Sequence, residues 1–157
     1  MDNFIIREAK LEDINSMMSL YGETIWKIEK SIDSNLKNGF ESSNELQNLM
    51  SNDIHDENTI ILVAESGNKI VGYISASIIL LEDAYVEKTA ILHEIATKDE
   101  YQKLGIGKLL LEECIILLKN RKVRYIKLSL FEKNKKAKNF YESNGFELYS
   151  MNYRKKI

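Results

Sequence analysis

The chain has 157 residues, 44% of them hydrophobic and 29% charged, which are values of a globular chain rather than a disordered one. Its single cysteine, Cys114, excludes an intramolecular disulfide framework and any multi-cysteine metal site, and the absence of proline excludes Pro-rich linkers. The net charge of −2 conceals an asymmetry: residues 1–100 carry 8 basic and 19 acidic side chains, whereas residues 101–157 carry 14 and 5.

That split points to a polyanion site in the second half and a cationic substrate near the first. A solvated helix face explains the densest basic run, Lys119–Lys138, equally well. Nucleic acid is disfavoured because the whole chain is acidic. The longest charge-free stretch, Ile70–Leu81, is twelve residues. That is short of the ~20 needed to span a bilayer, so no membrane association is expected. The N-terminal sequence MDNFIIREAK lacks a basic segment followed by an apolar run, so no secretory signal is expected. A soluble cytoplasmic protein follows as the expectation.

In chain order, Phe4–Arg7 is a short apolar run and reads as a first strand. Over Leu11–Glu29, residues Ile14, Met17, Met18, Tyr21, Ile25 and Ile28 recur at helical spacing and predict an amphipathic helix. Lys30–Phe40 is polar and contains a glycine, hence loop. Ser42 with Glu45 three residues on forms a capping-box pattern, followed by a short helix burying Leu46, Leu49 and Met50. Thr59–Ala64 is β-branched and apolar, a buried strand. Glu65–Lys69 has hairpin-turn chemistry, and Ile70–Leu81 is the antiparallel partner. Glu82–Lys88 is an acidic connection, with Glu82, Asp83, Tyr85 and Glu87 as a rim able to attract a cation or simply a solvated loop. Thr89–Thr97 is a fourth strand. Leu104–Lys119 is a helix with Leu109, Leu110, Cys114, Leu117 and Leu118 inward. A strand over Tyr125–Phe131, a helix over Lys135–Ser143 and a closing strand over Phe146–Tyr153 complete the chain. This order predicts one domain, residues 1–157, in the α/β to α+β range: a mixed sheet with helices on both faces.

The most informative segment is Gln102-Lys103-Leu104-Gly105-Ile106-Gly107, which follows a strand and opens a helix. Its glycines let the backbone turn tightly, and a helix N-terminus adds unpaired N–H donors and a partial positive charge. Together they make a cradle for phosphate oxygens. Walker A is excluded because its first glycine would fall at Gln102, and the Rossmann fingerprint because its third would fall at Leu110. A second element is Asn134-x-x-Ala137-x-x-Phe140-Tyr141-x-x-x-Gly145-Phe146, with Asn134 opening a helix and Gly145 following it. Phe140 and Phe146 are most simply core residues.

With both motifs in place, the chain resembles the GNAT superfamily of acetyl-CoA-dependent N-acetyltransferases. The segment Ile91–Lys119 is similar to that family's acetyl-CoA motif, Asn134–Phe146 to the motif after it, and Ile6-Arg7-Glu8-Ala9 with Asp13 and Ile14 to its first strand and helix. The resemblance implies a mostly antiparallel sheet whose fourth and fifth strands splay apart. It implies that the backbone of Gln102, Lys103, Leu104, Gly105, Ile106 and Gly107, with Lys108 beside it, holds the pyrophosphate of acetyl-CoA. Ile95, Ala96 and Thr97 would pair edgewise with the pantetheine, Asn134 and Ala137 would line its arm, and Tyr141 would stand near the thioester sulfur as general acid. The lysines of 133–138 would meet the adenosine 3′-phosphate.

Acetyl transfer to an amine has its own demands. An ammonium, with pKa near ~10.4, must lose a proton to a base or a water relay. The departing thiolate wants a proton from an acid such as a tyrosine hydroxyl. The fourth strand offers His93 and Glu94, adjacent and therefore on opposite faces of a regular strand. Strict alternation places His93 with Ile91, Ile95 and Thr97, and Glu94 with Leu92 and Ala96. A charged residue on an apolar strand is costly unless paired, so one of the two is expected to act as base. His93 is the first choice, since imidazole ordinarily titrates near pH ~6.5. Glu94 is the second. Structural readings stand beside both: a core hydrogen bond for His93 and a lysine partner for Glu94.

Cys114 is expected to be inert packing, His55 exposed and Trp26 a core or edge residue, with lining of the acceptor cavity as its alternative, and no metal site is expected. The reading is an N-acetyltransferase acting by direct attack in a ternary complex, with acetyl-CoA as co-substrate and a small-molecule or peptide amine as acceptor. It is expected as a monomer or homodimer. The alternative is a non-catalytic acyl-CoA-binding or regulatory domain of the same fold.

Overall fold

The computed structural model describes residues 4–79 and 87–157. Five strands, β1 (Ile5–Glu8), β2 (Thr59–Ser66), β3 (Lys69–Ile78), β4 (Thr89–Thr97) and β5 (Tyr125–Lys127), lie side by side in chain order. Neighbours are antiparallel except for β4 and β5, which are parallel. The β2–β3 turn has Gly67 and Asn68 both at positive φ, the backbone that a tight two-residue hairpin requires.

Helices cover both faces, because alternate residues of β2 and β3 are apolar on both sides. On one face Met17, Leu20, Leu46 and Met50 pack against Val63 and Tyr73. These come from α1 (Ile14–Leu20) and α3 (Asn44–His55). On the other face Ile106, Leu110, Leu111, Cys114 and Leu118 of α4 (Ile106–Asn120) pack against Leu62, Ile74 and Leu92. The helix expected over Leu11–Glu29 begins with a 3-10 turn, Leu11–Asp13. It then continues through α1, a π-helical turn Tyr21–Trp26, and α2 (Lys27–Ile32).

Several expectations shift. The cap of α3 is Ser43, whose hydroxyl accepts from the Leu46 N–H at 3.2 Å; Ser42 instead leans back toward the Gly39 carbonyl. Leu49 is exposed. In α4, Leu109 is exposed and Leu111 buried, because the helix presents 106, 110, 111, 114 and 118 to the sheet. The acidic connection at 80–86, including Glu82, Asp83 and Tyr85, lies outside the described residues.

The last two expected strands differ most. β5 ends at Lys127 rather than Phe131, and Phe146–Tyr153 forms no strand. The pairing of β5 with β4 stops at Ile91↔Lys127, so no further ladder is offered to the segment that returns from α5 (Lys135–Ser143). Side chains hold that segment instead. Phe146 packs edge-on to Tyr141 at 5.5 Å, the Lys127 ammonium lies 4.7 Å over the Tyr149 ring, and Arg154 bonds Asp33 just after α2.

The entry into the first helix is fixed by charge. Arg7 of β1 donates to both oxygens of Asp13, at 2.7 and 3.0 Å, and to Glu65 of β2 at 2.9 Å. The Lys10 N–H also donates to Asp13, at 2.8 Å. Burial works against ionised Asp13, but the bonds from Arg7 and Lys10 outweigh it and hold the carboxyl below the usual range. Removing one partner of such a pair leaves the other uncompensated. Asp13→Asn should therefore destabilise the fold by about 2 kcal/mol at neutral pH, measured by urea unfolding. A carboxyl whose native pKa lies below the unfolded value stabilises at higher pH, and loses that contribution as pH falls through the native pKa. The gap between wild type and variant should accordingly close only in acid, below pH ~4.

Candidate active site

α4 opens at Gly105, φ +81°, two residues after Lys103, φ +73°. These left-handed residues reverse the chain between the 3-10 turn Asp99–Tyr101 and the helix. The first helical bond runs from the Leu109 N–H to the Gly105 carbonyl at 3.0 Å, so the N–H groups of Ile106, Gly107 and Lys108 are the free donors of the helix end. They and the helix dipole make an anion cradle. Gln102 braces it: its amide donates to the Thr97 carbonyl at 3.2 Å and to Asp99 at 2.6 Å, and its oxygen accepts from Lys136 of α5. That last bond brings the basic run of residues 133–138 beside the cradle. Gly107 faces α5 directly, since a Cβ there would stand 3.6 Å from the Phe140 ring.

β4 carries an irregularity that the sequence reading did not contain. Ser75 of β3 pairs with Glu94 but the next residue, Ala76, pairs with Leu92, so His93 is an extra residue: a β-bulge. The bulge inverts the alternation. Ala90 and Leu92 enter the core beneath α4 and Ile95 packs against it, whereas Ala96 enters the core beneath α1 and α3. The expected sharing of one face by Leu92, Glu94 and Ala96 is corrected accordingly. Beyond Ile91 the β5 side of β4 has no strand partner among the described residues, so the edge past Ile91 carries no ladder on that side, and the Thr97 carbonyl is held by the Gln102 amide. On its other side Ile95, Ala96 and Thr97 pair with Ile74, Tyr73 and Gly72.

Glu94 is the electrostatic hub. Burial pushes its carboxyl up, the Tyr73 hydroxyl donates to it at 2.6 Å and works the other way, and the charges of Glu29 and Asp53 push it up again. None of these three acids is ion-paired with Lys or Arg among the described residues. Tyr21 of the π-turn is buried, and its hydroxyl is raised by burial and by the field of Glu94, Glu29 and Glu41. Tyr141 is half-buried, and burial together with Glu94 pushes its hydroxyl up to about 12. The Tyr141 hydroxyl thus lies in the field of Glu94. His93 is exposed, with Nε2 at 2.7 Å from the Ser77 hydroxyl. The Asp53 carboxyl is raised by burial and lowered by His93.

Asn134 caps α5, its oxygen accepting from the Ala137 N–H at 3.2 Å. Leu104, Lys103 and Lys108 lie exposed around the cradle, and Lys108 reaches toward Glu112 at 3.8 Å. Cys114 is fully buried in the core, where burial lifts its thiol to about 11. Among the described residues no three His, Cys, Asp or Glu side chains are grouped to hold a metal ion. Sequence reasoning missed Tyr73, Tyr21, Glu29 and Asp53. The one signal was Glu94 itself, since a charge inside an apolar strand demands a partner, and Tyr73 meets it diagonally from β3.

Residues 24–146 match the Acetyltransferase (GNAT) family. The fold is similar to that of the BH1408 protein from Bacillus halodurans, in its tetramutant form, at 23% identity over 98% of this chain and 99% of that one, with a TM-score of 0.86. It is similar to the PaiA N-acetyltransferase from Thermoplasma acidophilum, solved in complex with coenzyme A, at 22% identity over 96% and 93% of the two chains, with a TM-score of 0.80. It also resembles the aminoglycoside N-acetyltransferase AAC(6')-Iy in complex with CoA, at 14% identity over 100% and 97%, with a TM-score of 0.77.

The two cradle glycines differ in what they tolerate. At Gly105 any side chain is strained by the left-handed backbone, so Gly105→Ala should cost about 1 kcal/mol. At Gly107 an added methyl makes only ordinary contact, so Gly107→Ala should stay within about 0.5 kcal/mol of wild type. Urea unfolding of the two variants side by side checks both values.

Proposed function

The chain belongs to the GNAT acetyltransferase family, and from that premise we propose that it transfers the acetyl group of acetyl-CoA to a primary amine by direct attack in a ternary complex. The observation that carries this reading is the anion cradle at the start of α4 beside a β4 edge left without a strand partner past Ile91 among the described residues; the field of Glu94 on the Tyr141 hydroxyl supports it.

Acetyl-CoA supplies an acyl group on a good leaving thiol. The free N–H groups of Ile106, Gly107 and Lys108 and the turn Gln102–Gly105 suit its pyrophosphate. The open β4 edge at Ile95–Thr97 offers backbone partners to an amide-bearing arm. Lys136, bonded to Gln102 beside the cradle, suits the remaining phosphate, with the neighbouring lysines of α5 adding to the positive potential. Glu94, Glu29 and Asp53, none of them in an ion pair with Lys or Arg among the described residues, favour a positively charged acceptor on the α1–α3 side.

In this reading Glu94 accepts the proton released by the attacking amine. Its raised pKa suits that task better than an ordinary carboxylate, because a stronger base drives the transfer further. Tyr141 gives its hydroxyl proton to the departing sulfur, and a pKa of about 12 keeps that proton in place at neutral pH. His93, exposed and near Asp53, suits passage of the proton onward to solvent. Cys114, buried with a raised thiol, does not suit an acyl-enzyme route.

An acetyl-CoA consumption assay over alkylamines, diamines, aminoglycosides, amino acids and peptides tests the reading. Turnover of at least one amine supports it. Acetyl-CoA binding with no turnover across the panel would favour a binding or regulatory domain. Tyr141→Phe keeps the ring packing and should lower kcat by ~10²–10⁴-fold with acetyl-CoA affinity nearly unchanged. Glu94→Gln should remove the acidic limb of the pH–rate profile, which for the wild type should rise with pH at values above the ordinary carboxylate range. Loss of that limb in His93→Ala, with Glu94→Gln unaffected, would transfer the base role to His93.

A further inference from the structure

We infer that Tyr73 is a positioning residue for the acyl transfer, holding the Glu94 carboxylate by one oxygen so that the other is presented to the acceptor amine. The inference rests on the reading of Glu94 as proton acceptor.

Tyr73 is 0% exposed and belongs to the core that contains Ile61, Val63, Ile70 and Ala96. Phenylalanine would suit that apolar surrounding. A hydroxyl there is costly unless it is bonded. It donates to Glu94 Oε2 at 2.6 Å, within the short range of an O–H donated to a carboxylate. The two groups therefore satisfy each other.

Geometry makes the contact orienting rather than incidental. Glu94 sits beside the bulge, where the strand is bent and the regular ladder is interrupted. A carboxylate there has three side-chain torsions to choose from, whereas the Tyr73 ring is locked by the packed core around it. A bond to Oε2 selects one orientation and leaves Oε1 to meet a proton. The groups that face Glu94 are Tyr73 of β3, Tyr21 of the π-turn, Glu29 of α2, Asp53 of α3 and Tyr141 of α5, with His93 next to it on β4. Of these, Tyr73 is the one hydrogen-bonded to it among the described residues.

The test is the pH profile of kcat/KM for Tyr73→Phe, with 1,4-diaminobutane as acceptor probe and acetyl-CoA affinity measured alongside. A hydrogen bond to a carboxylate favours its ionised form, so its loss should move the acidic limb up by about one pH unit. That is about a tenfold loss at pH values below the limb, with the alkaline plateau largely kept. A purely structural role would lower the plateau or the melting temperature and leave the limb in place, and that result overturns the inference. Glu94→Gln is run in parallel. If it abolishes the limb while Tyr73→Phe leaves it unmoved, only the positioning role fails. If it leaves the limb intact, the base assignment fails and the role of Tyr73 with it. Should Tyr73→Phe not fold, the unaltered protein answers by NMR. The buried Tyr73 hydroxyl proton should resonate downfield and titrate with Glu94, and a hydroxyl signal indifferent to that titration overturns the inference.

Discussion

One extra residue in β4 organises the whole site. Because Ser75 and Ala76 of β3 oppose Glu94 and Leu92, the strand takes up His93 as a bulge and changes face between Leu92 and Glu94. Upstream of it, Ala90 and Leu92 serve the core under α4; downstream, Ala96 serves the core under α1 and α3. Without the bulge Glu94 would fall on the side of Leu92, in the most apolar part of the molecule. With it, the carboxylate takes the bond from Tyr73 and lies in the field of Glu29 and Asp53, and its own charge acts on the hydroxyls of Tyr21 and Tyr141. The same departure from regular geometry coincides with the parting of β4 from β5 just past Ile91. A regular sheet would close that gap with a ladder and leave no edge for a ligand.

The energetics around this point are those of a polar centre tolerated inside a packed fold. Glu94 is mostly withdrawn from water, and two further acids raise the cost of ionising it. The Tyr73 bond offsets part of that cost without supplying a charge. A lysine in its place would stabilise the carboxylate more and leave it a weaker base. In the proposed function, the lack of a Lys or Arg ion pair at Glu94 among the described residues suits proton acceptance and an ammonium-bearing acceptor. At the far end of β4 the logic reverses: free N–H groups, a helix dipole and the lysine run offer positive potential to a polyanion. The opposed charges of the two halves of the chain thus meet at β4.

Much of the architecture was legible because it follows from local patterns. The β-branched run of β2, the turn at Gly67 and Asn68, and the glycines at the mouth of α4 each have a direct backbone consequence. Together with the Asn134–Phe146 segment they carried the family resemblance. The inward face of α4 was read partly wrongly, since Leu109 and Leu111 are indistinguishable by residue type and only the helix's rotation on the sheet buries one and exposes the other. Phe146–Tyr153 looks like a strand by composition, yet pairing needs a neighbour and β5 stops at Lys127. The site itself was half legible. Adjacent His93 and Glu94 stood out, but their faces were assigned by strict alternation, and nothing in the residues announces a bulge. Tyr73, Glu29 and Asp53 come from three other elements and reach Glu94 only through tertiary packing.

The central claim is that the thiol end of the acyl donor lies in the gap between β4 and β5, with Tyr141 on one side and Glu94 on the other. A crystal structure of the protein with coenzyme A bound tests it most directly. The account predicts the pyrophosphate on the N–H groups of Ile106, Gly107 and Lys108, the arm along Ile95–Thr97, and the sulfur within hydrogen-bonding reach of the Tyr141 hydroxyl. A sulfur remote from Tyr141, or a pyrophosphate bound away from the α4 N-terminus, would contradict it.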